Sequence, residues 1–498
     1  MRDACRKSGA KGMDRRTFLT TLGAGAAACA WPRAAKADNG EQPNFVFIFA
    51  DDQDFEALRA LGNSEIHTPN LDRLVQGGTT FTHAYNMGSW SPAVCVPART
   101  MLMTGMTLWN AQQEHQDGLG ENFVEQDRFW PQLLERAGYD TYMTGKWHVS
   151  ADAEQAFTYA RNIRPGMPNV FPNNTPEGYD RPIEGEEDPW SPWDPEFGGF
   201  WEGGTHWSEV LADDAKDFLA QAGERDTPFF MYLAFNAPHD PRQSPEAYVN
   251  KYPLDQVEVP GNFKAEYPHN EAIGSGRNLR DERLAPFPRT EYAVQVHRQE
   301  YYAIISHMDT QIGRILDALE ATGKGGDTYV VFTADHGLAV GQHGLMGKQN
   351  LYDHSVRVPF VIKGPDIPAG HRVETPIYLQ DIVPSTLELA GEAIPDHVQF
   401  ESFISLIHDD ADTGRGAVYG AYLDLQRMVT HNGHKLLLYP EAGVKRLFDL
   451  NADPLEINDL ADEPESEPIM RELFAVLRDL QQDLNDPLDL AEAFPDLQ

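Results

Sequence analysis

Four apolar, β-rich runs that each end in polar side chains are the feature that most constrains the fold of this chain. They are NFVFIFADD at 44–52, YDTYMTGKWH at 139–148, PFFMYLAFNAPHD at 228–240 and TYVVFTADHG at 328–337. Each run predicts a buried strand followed by a polar turn. Helical patterns alternate with the runs, and one of them has an apolar stripe formed by Ile304, Met308, Ile312, Ile315 and Leu319. This alternation predicts a large α/β/α sandwich around a mixed, mostly parallel sheet.

The pattern changes after about residue 412. Short strand-like runs follow, AVYGAYLDL, RMVTHNGHKLLLYP and KRLFDLNADP, and then a polar amphipathic helix near 466–484. They predict a small antiparallel sheet with one helix. A chain of 498 residues also exceeds one typical hydrophobic core. We therefore expect a catalytic domain at 38–411 and a C-terminal α+β subdomain at 412–498.

The first 37 residues differ from the rest of the chain in their sequence pattern. Arg15 and Arg16 precede a stretch of small apolar residues that ends in Ala35-Lys36-Ala37. The segment resembles a twin-arginine export signal cut before Asp38, which predicts transfer of the folded chain by the twin-arginine machinery and a periplasmic or secreted protein. Beyond it, no apolar run is long enough to span a membrane.

Cleavage at that position would remove Cys5 and Cys29 and leave Cys95 as the single cysteine. A disulfide within one chain is then excluded. A lone cysteine in an oxidising compartment is either buried and inert or chemically special. Its setting, SPAVCVPART at 91–100, lies directly before a predicted helix, where backbone amides favour an anion.

The chain is strongly acidic, with a formal net charge of −37. A surface of this charge repels nucleic acid and anionic membranes, so neither is an expected partner. A salty habitat and an ordinary acidic bacterial enzyme are equally compatible with it. Four arginines stand out in this acidic chain, where they could bind further sulfates or carboxylates or form salt bridges: Arg277, Arg280, Arg283 and Arg289.

Potentially reactive side chains follow the ends of the four predicted strands. In parallel sheets, ligands collect at the carboxyl ends of the strands. That rule predicts one edge that carries Asp51, Asp52, Lys146, His148, His239, Asp335 and His336. The expected site is therefore built from residues that are far apart in the sequence.

The residue types at this edge predict a cation and an oxyanion. Adjacent carboxylates after a strand are costly unless a cation neutralises them. Three carboxylates, Asp51, Asp52 and Asp335, fit a hard divalent ion, and calcium suits them better than zinc because no cluster has zinc spacing. Lys146, His148, His239 and Lys348 supply cationic or hydrogen-bonding groups for a tetrahedral oxyanion.

A Pro-, Gly- and Trp-rich stretch at 162–206 interrupts the alternation of strands and helices. Of the nine tryptophans in the chain, four lie close together: Trp190, Trp193, Trp201 and Trp207. Such rings suit stacking on a sugar, but they also suit packing of an irregular loop onto its own domain.

The motif around Cys95 resembles a known signature. Cys95-Val96-Pro97-Ala98-Arg99, followed by Leu102-Met103-Thr104-Gly105, is similar to the C-x-P-x-R and Leu-x-Thr-Gly pattern of type I sulfatases in the alkaline phosphatase superfamily. Five more segments match in family order, from about 44 to 365: DDQ, GKWH, APHDP, ADHG and GKQNLYDHSVRVP. The resemblance implies an alkaline phosphatase-like fold and sulfate ester hydrolysis.

The resemblance also implies a role for each matching residue. Cys95 would be oxidised by a formylglycine-generating maturation enzyme, and the hydrated aldehyde would be the nucleophile. Asp51, Asp52, Asp335 and the modified Cys95 would bind Ca²⁺, together with His336, at a position where some sulfatases have Asn. Arg99 and His148 would hold the nucleophile, Lys146 and Lys348 the sulfate oxygens, and His239 would protonate the leaving group. His343 and Arg242 are candidate specificity residues, with loop packing as the alternative.

The expected substrate is a sulfated carbohydrate. Export, the acidic surface and the tryptophan-rich stretch favour a saccharide over a small aryl sulfate. Two alternatives stay open: a phosphonate or phosphodiester hydrolase with the same nucleophile, and a non-catalytic polyanion-binding protein on the same scaffold.

Overall fold

The structure, a computed structural model, describes residues 42–168, 181–408 and 414–498. The predicted export signal at 1–37 and the predicted domain boundary between 411 and 412 lie outside these residues. Within the described ranges, no helix combines the length and the apolarity needed to cross a bilayer.

The strands of the described residues are short at the periphery and long in the centre of the main sheet. In chain order they are β1 (Asn44–Asp51), β2 (Thr79–Phe81), β3 (Ala84–Tyr85), β4 (Gly88–Ser89), β5 (Asp140–Lys146), β6 (Tyr159–Arg164), β7 (Trp201–Glu202), β8 (Thr205–His206), β9 (Phe229–Pro238), β10 (Thr328–Ala334), β11 (Arg357–Val358), β12 (Phe360–Lys363), β13 (His371–Val373), β14 (Ile377–Tyr378), β15 (Ala417–Tyr422), β16 (Gln426–His431), β17 (His434–Tyr439) and β18 (Val444–Asp449).

The α-helices of the described residues range from four to 31 residues in length. They are α1 (Pro69–Gly77), α2 (Cys95–Thr104), α3 (Leu108–Asp117), α4 (Leu119–Asn122), α5 (Trp130–Arg136), α6 (Ala153–Ala156), α7 (Trp207–Gly223), α8 (Glu246–Val249), α9 (Glu291–Ala321), α10 (Asp353–Val356), α11 (Ile382–Ala390), α12 (Ile404–Ile407), α13 (Glu467–Asp483) and α14 (Leu490–Ala493).

The main sheet has eight strands in the order β13-β2-β12-β10-β1-β9-β5-β6. The central strand β1 runs parallel to β10 and β9, and β5 and β6 continue in the same direction. Only β12 breaks the pattern in the described sheet, since it runs antiparallel to β10 and β2. This topology confirms the predicted mixed, mostly parallel sheet.

Helices cover both faces of this sheet. Helices α1, α7 and α9 pack together on one face, and α2, α5 and α11 on the other. Every residue of β1, β9 and β10 is therefore buried, as expected for strands enclosed on both sides. The predicted stripe on α9 is also buried: Ile304, Met308, Ile312, Ile315 and Leu319 all belong to the main core.

The C-terminal sheet confirms the predicted antiparallel arrangement and adds one strand to it. β15–β18 form the antiparallel part, and α13 packs on it through Met470, Leu473, Phe474 and Leu477. The added strand is β4, which pairs in parallel with β15. Gly88 permits this close approach, because a Cβ there would lie 1.9 Å from the carbonyl oxygen of Ala421. The segment that leads to Cys95 is thus joined directly to the C-terminal sheet.

Candidate active site

The parallel register brings the ends of four strands to one edge of the main sheet. Ala50 of β1 pairs with Ala334 of β10, so Asp51 and Asp335 leave the sheet side by side. The backbone amide of Asp335 donates to the carbonyl oxygen of Ala50 at 3.2 Å. Lys146 ends β5, and His239 follows the end of β9. The structure therefore gathers these residues from separate parts of the chain.

Cys95 is the first residue of α2 and is buried beneath this edge. Its Sγ atom lies 3.4 Å from Asp51 Oδ1, 3.3 Å from His336 Nε2 and 3.4 Å from Lys348 Nζ. Burial alone would raise the pKa of the thiol, but the positive charges of Lys146, Lys348 and His336 outweigh it and hold the pKa well below its usual value. The position therefore favours an anionic group at the head of the helix.

Five residues around this point form a candidate metal site: Asp51, Asp52, Cys95, Asp335 and His336. All five are buried, and one ligand atom from each lies within 4.8 Å of the others. Asp52 adopts a positive φ of 67°, a conformation that Asp tolerates better than most residues. It is held by two hydrogen bonds, from its amide to Asp335 Oδ1 at 3.1 Å and to its carbonyl from the Tyr301 hydroxyl at 2.8 Å.

The orientation of His336 fits a ligand role. Its Nδ1 atom lies 2.8 Å from the carbonyl oxygen of Gly337, which can only accept, so Nδ1 carries a proton. Burial alone would lower the pKa of His336, but Asp335 and Asp52 outweigh it and raise the pKa to about 9, so Nε2 is also protonated at neutral pH and faces Asp52 Oδ1 at 3.1 Å. A cation among the carboxylates would displace the Nε2 proton and leave a lone pair for binding. This arrangement resembles the way that metal-binding histidines are usually oriented by their second nitrogen.

Burial and neighbouring negative charges make it costly to ionise the carboxylates of the site. Burial, followed by the neighbouring Cys95, raises the pKa of Asp51 well above its usual value. For Asp335, burial and Cys95 act in the same direction, but His336 and Arg99 outweigh them and lower the pKa. A divalent cation among these oxygens would stabilise the ionised form of both groups, so the donor set fits a hard cation.

Three cationic side chains surround the carboxylates. Lys146 Nζ lies 2.5 Å from Asp51 Oδ2, and Lys348 Nζ lies 2.9 and 2.8 Å from the two oxygens of Asp52. Arg99 is fully buried, with Nε 3.0 Å from Asp335 Oδ2 and Nη1 donating to the carbonyl oxygen of Lys146. Cations and carboxylates thus alternate around Cys95, an arrangement that can hold both a metal ion and a tetrahedral anion.

Two histidines flank the site in different protonation states. Burial alone would lower the pKa of His239, but Asp52 and Asp240 outweigh it and raise the pKa to about 10. His239 is therefore an imidazolium at neutral pH, the form that can donate a proton. For His148, burial lowers the pKa, and the neighbouring Cys95 acts in the opposite direction without outweighing it. Gly166 leaves room for the ring of His148, since a Cβ at Gly166 would lie 2.1 Å from it.

The two candidate specificity residues have other described contacts. His343 stacks on Tyr352, with 4.1 Å between ring centroids, and its Nε2 lies 3.2 Å from the side-chain nitrogen of Asn262. Arg242 is buried and contacts the ring of His297, with Nη1 2.9 Å from Nδ1. The specificity role of both residues stays a prediction.

The tryptophan-rich segment packs beside the loop that follows His239. The amide of Ser244 donates to the carbonyl oxygen of Pro192 at 3.2 Å, and the amide of Phe200 donates to Gln243 Oε1 at 2.7 Å. Trp201 donates to Pro192 and Trp207 lies beneath Arg164, whereas Trp193 is 39% exposed. The segment therefore combines loop packing with one exposed tryptophan.

Three of the four arginines noted in the sequence form salt bridges within the chain. Arg277 pairs with Glu266 at 2.6 Å and Arg289 with Glu282 at 2.5 Å. Arg280 contacts both Asp240 and Asp281. The salt-bridge interpretation therefore describes these three residues.

Sequence reasoning missed two residues that hold the site in place. Tyr301 hydrogen-bonds to both the carbonyl oxygen of Asp52 and the amide of Asp54. Gln349 contacts the amide of Lys348, the carbonyl of Pro92 and the carboxylate of Asp281. Gln349 lies in the GKQN segment next to Lys348, which was a usable signal, whereas Tyr301 lies on α9 without any local pattern that marks it.

The fold and the site define a class of protein, an α/β/α sandwich in which a buried cysteine at the start of a helix faces a candidate metal site and several cations. The family model described as Sulfatase matches residues 43–392, and the chain belongs to this family. A second model, described as N-sulphoglucosamine sulphohydrolase, C-terminal, matches residues 341–483. The protein is therefore a sulfuric ester hydrolase.

Relatives across most of the chain agree with this assignment. An ulvan-active sulfatase of Formosa agariphila is 28% identical over 465 residues, which cover 90% of this chain and 83% of the relative. An N-acetylglucosamine-6-O-sulfatase of Bacteroides thetaiotaomicron is 24% identical, with 94% and 91% of the two chains covered.

Solved structures support the fold. One, a complex with its substrate D-glucosamine-2-N,6-O-disulfate, has a TM-score of 0.68 and 22% identity, and covers 90% of this chain and 99% of its own. The phosphonate monoester hydrolase of Agrobacterium radiobacter also has a TM-score of 0.68 with 22% identity, and the match covers 89% of this chain and 96% of that one.

Proposed function

We propose that this sulfatase uses a formylglycine derived from Cys95 and a calcium ion to remove sulfate from a carbohydrate. One observation carries the proposal. Asp51, Asp52, Asp335 and His336 converge on Cys95 with all ligand atoms within 4.8 Å, and Lys146, Lys348 and Arg99 surround them. A buried structural cysteine needs no such surroundings.

The surroundings of Cys95 suit an oxygen-bearing group. A hard cation held by carboxylates prefers oxygen to sulfur as a further ligand. Formylglycine in its hydrated form supplies the oxygen nucleophile that the reaction needs. Arg99 would orient the group at position 95, because it contacts Asp335 and lies 3.6 Å from Asp51, whose carboxylate contacts Cys95. His148 would assist, since Cys95 influences the pKa of its ring.

The remaining side chains would bind different parts of the sulfate ester. Lys146 contacts Asp51, and Lys348 contacts Asp52 and Cys95, so both place positive charge where sulfate oxygens would gather. His239 is protonated and faces Asp52, so it is placed to give a proton to the departing alcohol. The calcium ion would be held by Asp51, Asp52, Asp335 and His336, and it would supply further charge stabilisation as a Lewis acid.

The carbohydrate proposal rests on relatives and on the segment beside His239. The two relatives cited above bear the names of an ulvan-active and an N-acetylglucosamine sulfatase. In this chain, the exposed Trp193 lies in the segment that packs against residues 241–244. A tryptophan ring can stack on a sugar face.

We further propose that the chain is exported as predicted from its first 37 residues. Twin-arginine export carries folded proteins, so the maturation enzyme would oxidise Cys95 in the cytoplasm before transport. The mature chain would then act in the periplasm or outside the cell. Peptide mass spectrometry of the cytoplasmic and exported fractions tests this order, and modification found only after export would contradict it.

The second candidate activity is hydrolysis of phosphonate or phosphodiester bonds. The structural match to a phosphonate monoester hydrolase favours keeping it, because its TM-score equals that of the complex with D-glucosamine-2-N,6-O-disulfate. Both activities need a tetrahedral anion between Lys146 and Lys348.

One set of measurements separates these possibilities. The protein is produced together with a formylglycine-generating enzyme, and the peptide that contains residue 95 is examined by mass spectrometry. Turnover is then compared for matched pairs of esters, 4-nitrophenyl sulfate against 4-nitrophenyl phenylphosphonate, and a sulfated against a phosphorylated sugar. We expect formylglycine at position 95 and a preference for sulfate. A preference for the phosphorus esters would overturn the sulfate proposal. An unmodified Cys95 thiol in an active protein would overturn the assignment of formylglycine as the nucleophile.

A further inference from the structure

A carboxylate and an arginine stand behind His239, on the side away from Asp52. The Nδ1 atom of His239 lies 2.7 Å from the carbonyl oxygen of Asp240 and 3.2 Å from its Oδ1 atom. The other carboxylate oxygen of Asp240 contacts the guanidinium of Arg280. Asp240 therefore lies between the imidazole ring and the guanidinium.

Arg280 is anchored on its other side. Its Nη1 atom contacts Asp281 Oδ1, and Asp281 Oδ2 accepts a hydrogen bond from Gln349 Nε2 at 2.8 Å. Gln349 in turn accepts from the amide of Lys348 at 3.0 Å and donates to the carbonyl oxygen of Pro92 at 3.0 Å. The contacts thus run without a break from His239 to the turn that holds Lys348 and to the segment before Cys95.

The central position of this series of contacts suits an arginine, because the side chain there binds two carboxylates. Two largely buried carboxylates, with side chains 14% and 10% exposed, share one guanidinium. The planar fork of arginine can bind two carboxylates at once, whereas lysine acts as a single point charge. Without that charge, Asp240 would lose the stronger of its two cationic contacts and keep only the imidazolium of His239. Its carboxylate would then be free to turn towards water, and His239 would lose one of its two contacts at Nδ1.

We infer that Arg280 is a positioning residue for the leaving-group side of the reaction. Through Asp240 it fixes the ring of His239, and through Asp281 and Gln349 it is itself fixed to the turn that carries Lys348. The inference rests on the proposed function, in which His239 protonates the departing alcohol. The alcohol of a sugar sulfate needs that proton, whereas a nitrophenolate leaves readily without it.

The test compares two leaving groups in three variants. In R280M, we expect kcat for a sugar sulfate to fall by roughly 10–100-fold, and kcat for 4-nitrophenyl sulfate by less than about 3-fold, since only the first needs an oriented acid. R280K should recover part of the loss, because it restores the charge. The matched control is R277M, since Arg277 lies three residues away and pairs with Glu266 at the surface. It should leave both rates unchanged.

Two results would overturn the inference. One is an equal loss on both substrates in R280M, which indicates a general structural role. The other is independent of turnover: crystal structures of the wild type and R280M in which the His239 Nδ1 and Asp240 Oδ1 contact is the same. We expect that contact to lengthen beyond 3.5 Å in R280M. A wild-type protein that cleaves neither sulfate would contradict the proposed function, and the crystal structures would still decide the role of Arg280.

Discussion

Two clusters of buried charge in this molecule have similar residue types and different geometry. The first surrounds Cys95. The second, the interface cluster, consists of Asp353, Arg357, Lys435 and Glu456 and joins β17 of the C-terminal sheet to α10 and β11. Within it, Lys435 Nζ lies 2.5 Å from Asp353 Oδ1 and 2.8 Å from Glu456 Oε1, and Arg357 lies 3.3 Å from Asp353.

The difference lies in where the carboxylates point. In the interface cluster each carboxylate is directed at a cation from another element, so the charges neutralise one another and hold two parts of the chain together. In the Cys95 cluster, three carboxylates and a histidine are directed at the same point. Burial of charge therefore indicates a structural role as readily as a catalytic one, and convergence of ligand atoms distinguishes the two.

The largest expected effect is the loss of the group at position 95. In Cys95→Ala, we expect turnover of sulfate esters to fall by at least ~10⁴-fold, because the nucleophile is absent. The free energy of unfolding, measured with urea, should change by only about 1 kcal/mol, since a small side chain is replaced by a smaller one. A variant that retains activity, or one that loses activity only because it is unfolded, would remove the distinction between the clusters.

The next effect concerns the interface cluster and has the opposite character. Lys435→Met leaves Asp353 and Glu456 without their shared cation in a buried place, so we expect a loss of about 3–5 kcal/mol in the free energy of unfolding. The control is Lys445→Met, which breaks a more exposed pair with Asp496 and should cost about 1 kcal/mol or less. The kcat of the folded Lys435→Met protein should be unchanged. A selective fall in kcat at unchanged stability would contradict a structural role.

Much of the Cys95 cluster could be predicted from the sequence because parallel strands impose a simple rule. Asp51, Lys146, His239 and Asp335 each lie at or just after the carboxyl end of a strand, and the strand runs are strongly apolar. The mixed, mostly parallel sheet was predictable for the same reason. Neither the site residues nor the sheet type depends on the paths of the loops between the strands.

The supporting contacts could not be predicted in this way. Arg280 lies in a stretch without regular periodicity, and its approach to Asp240 depends on the tertiary path of the chain between them. The two-residue strand β4 is too short to give a sequence pattern, and its pairing with β15 depends on a close backbone approach at Gly88. Such contacts follow from the assembled fold and not from local sequence preference.

A calcium titration also distinguishes the Cys95 cluster from the interface cluster, and its expected effect is smaller than those of the two substitutions above. Calcium bound at Asp51, Asp52, Asp335 and His336 should stabilise the folded protein by about 2.7 kcal/mol when the free ion is at 100 times its dissociation constant. Removal with a chelator should reverse the rise in Tm. In Asp335→Asn the response to calcium should be lost, whereas Lys445→Met should keep it. An equal rise in Tm in the Asp335→Asn protein would place the bound calcium elsewhere.

The smallest effect is a pH dependence beside the interface cluster. Burial, followed by the charges of Lys264 and Arg446, lowers the pKa of His343 from 6.5 to about 3. Below pH 6.5 the unfolded chain therefore binds a proton that the folded protein does not, and stability falls as the pH falls. Between pH 6.5 and 5.5 the loss is about 1 kcal/mol. Urea unfolding of His343→Gln should show a shallower decline over this interval than the wild type. Equal slopes in the two proteins would show that burial of His343 does not couple proton binding to folding.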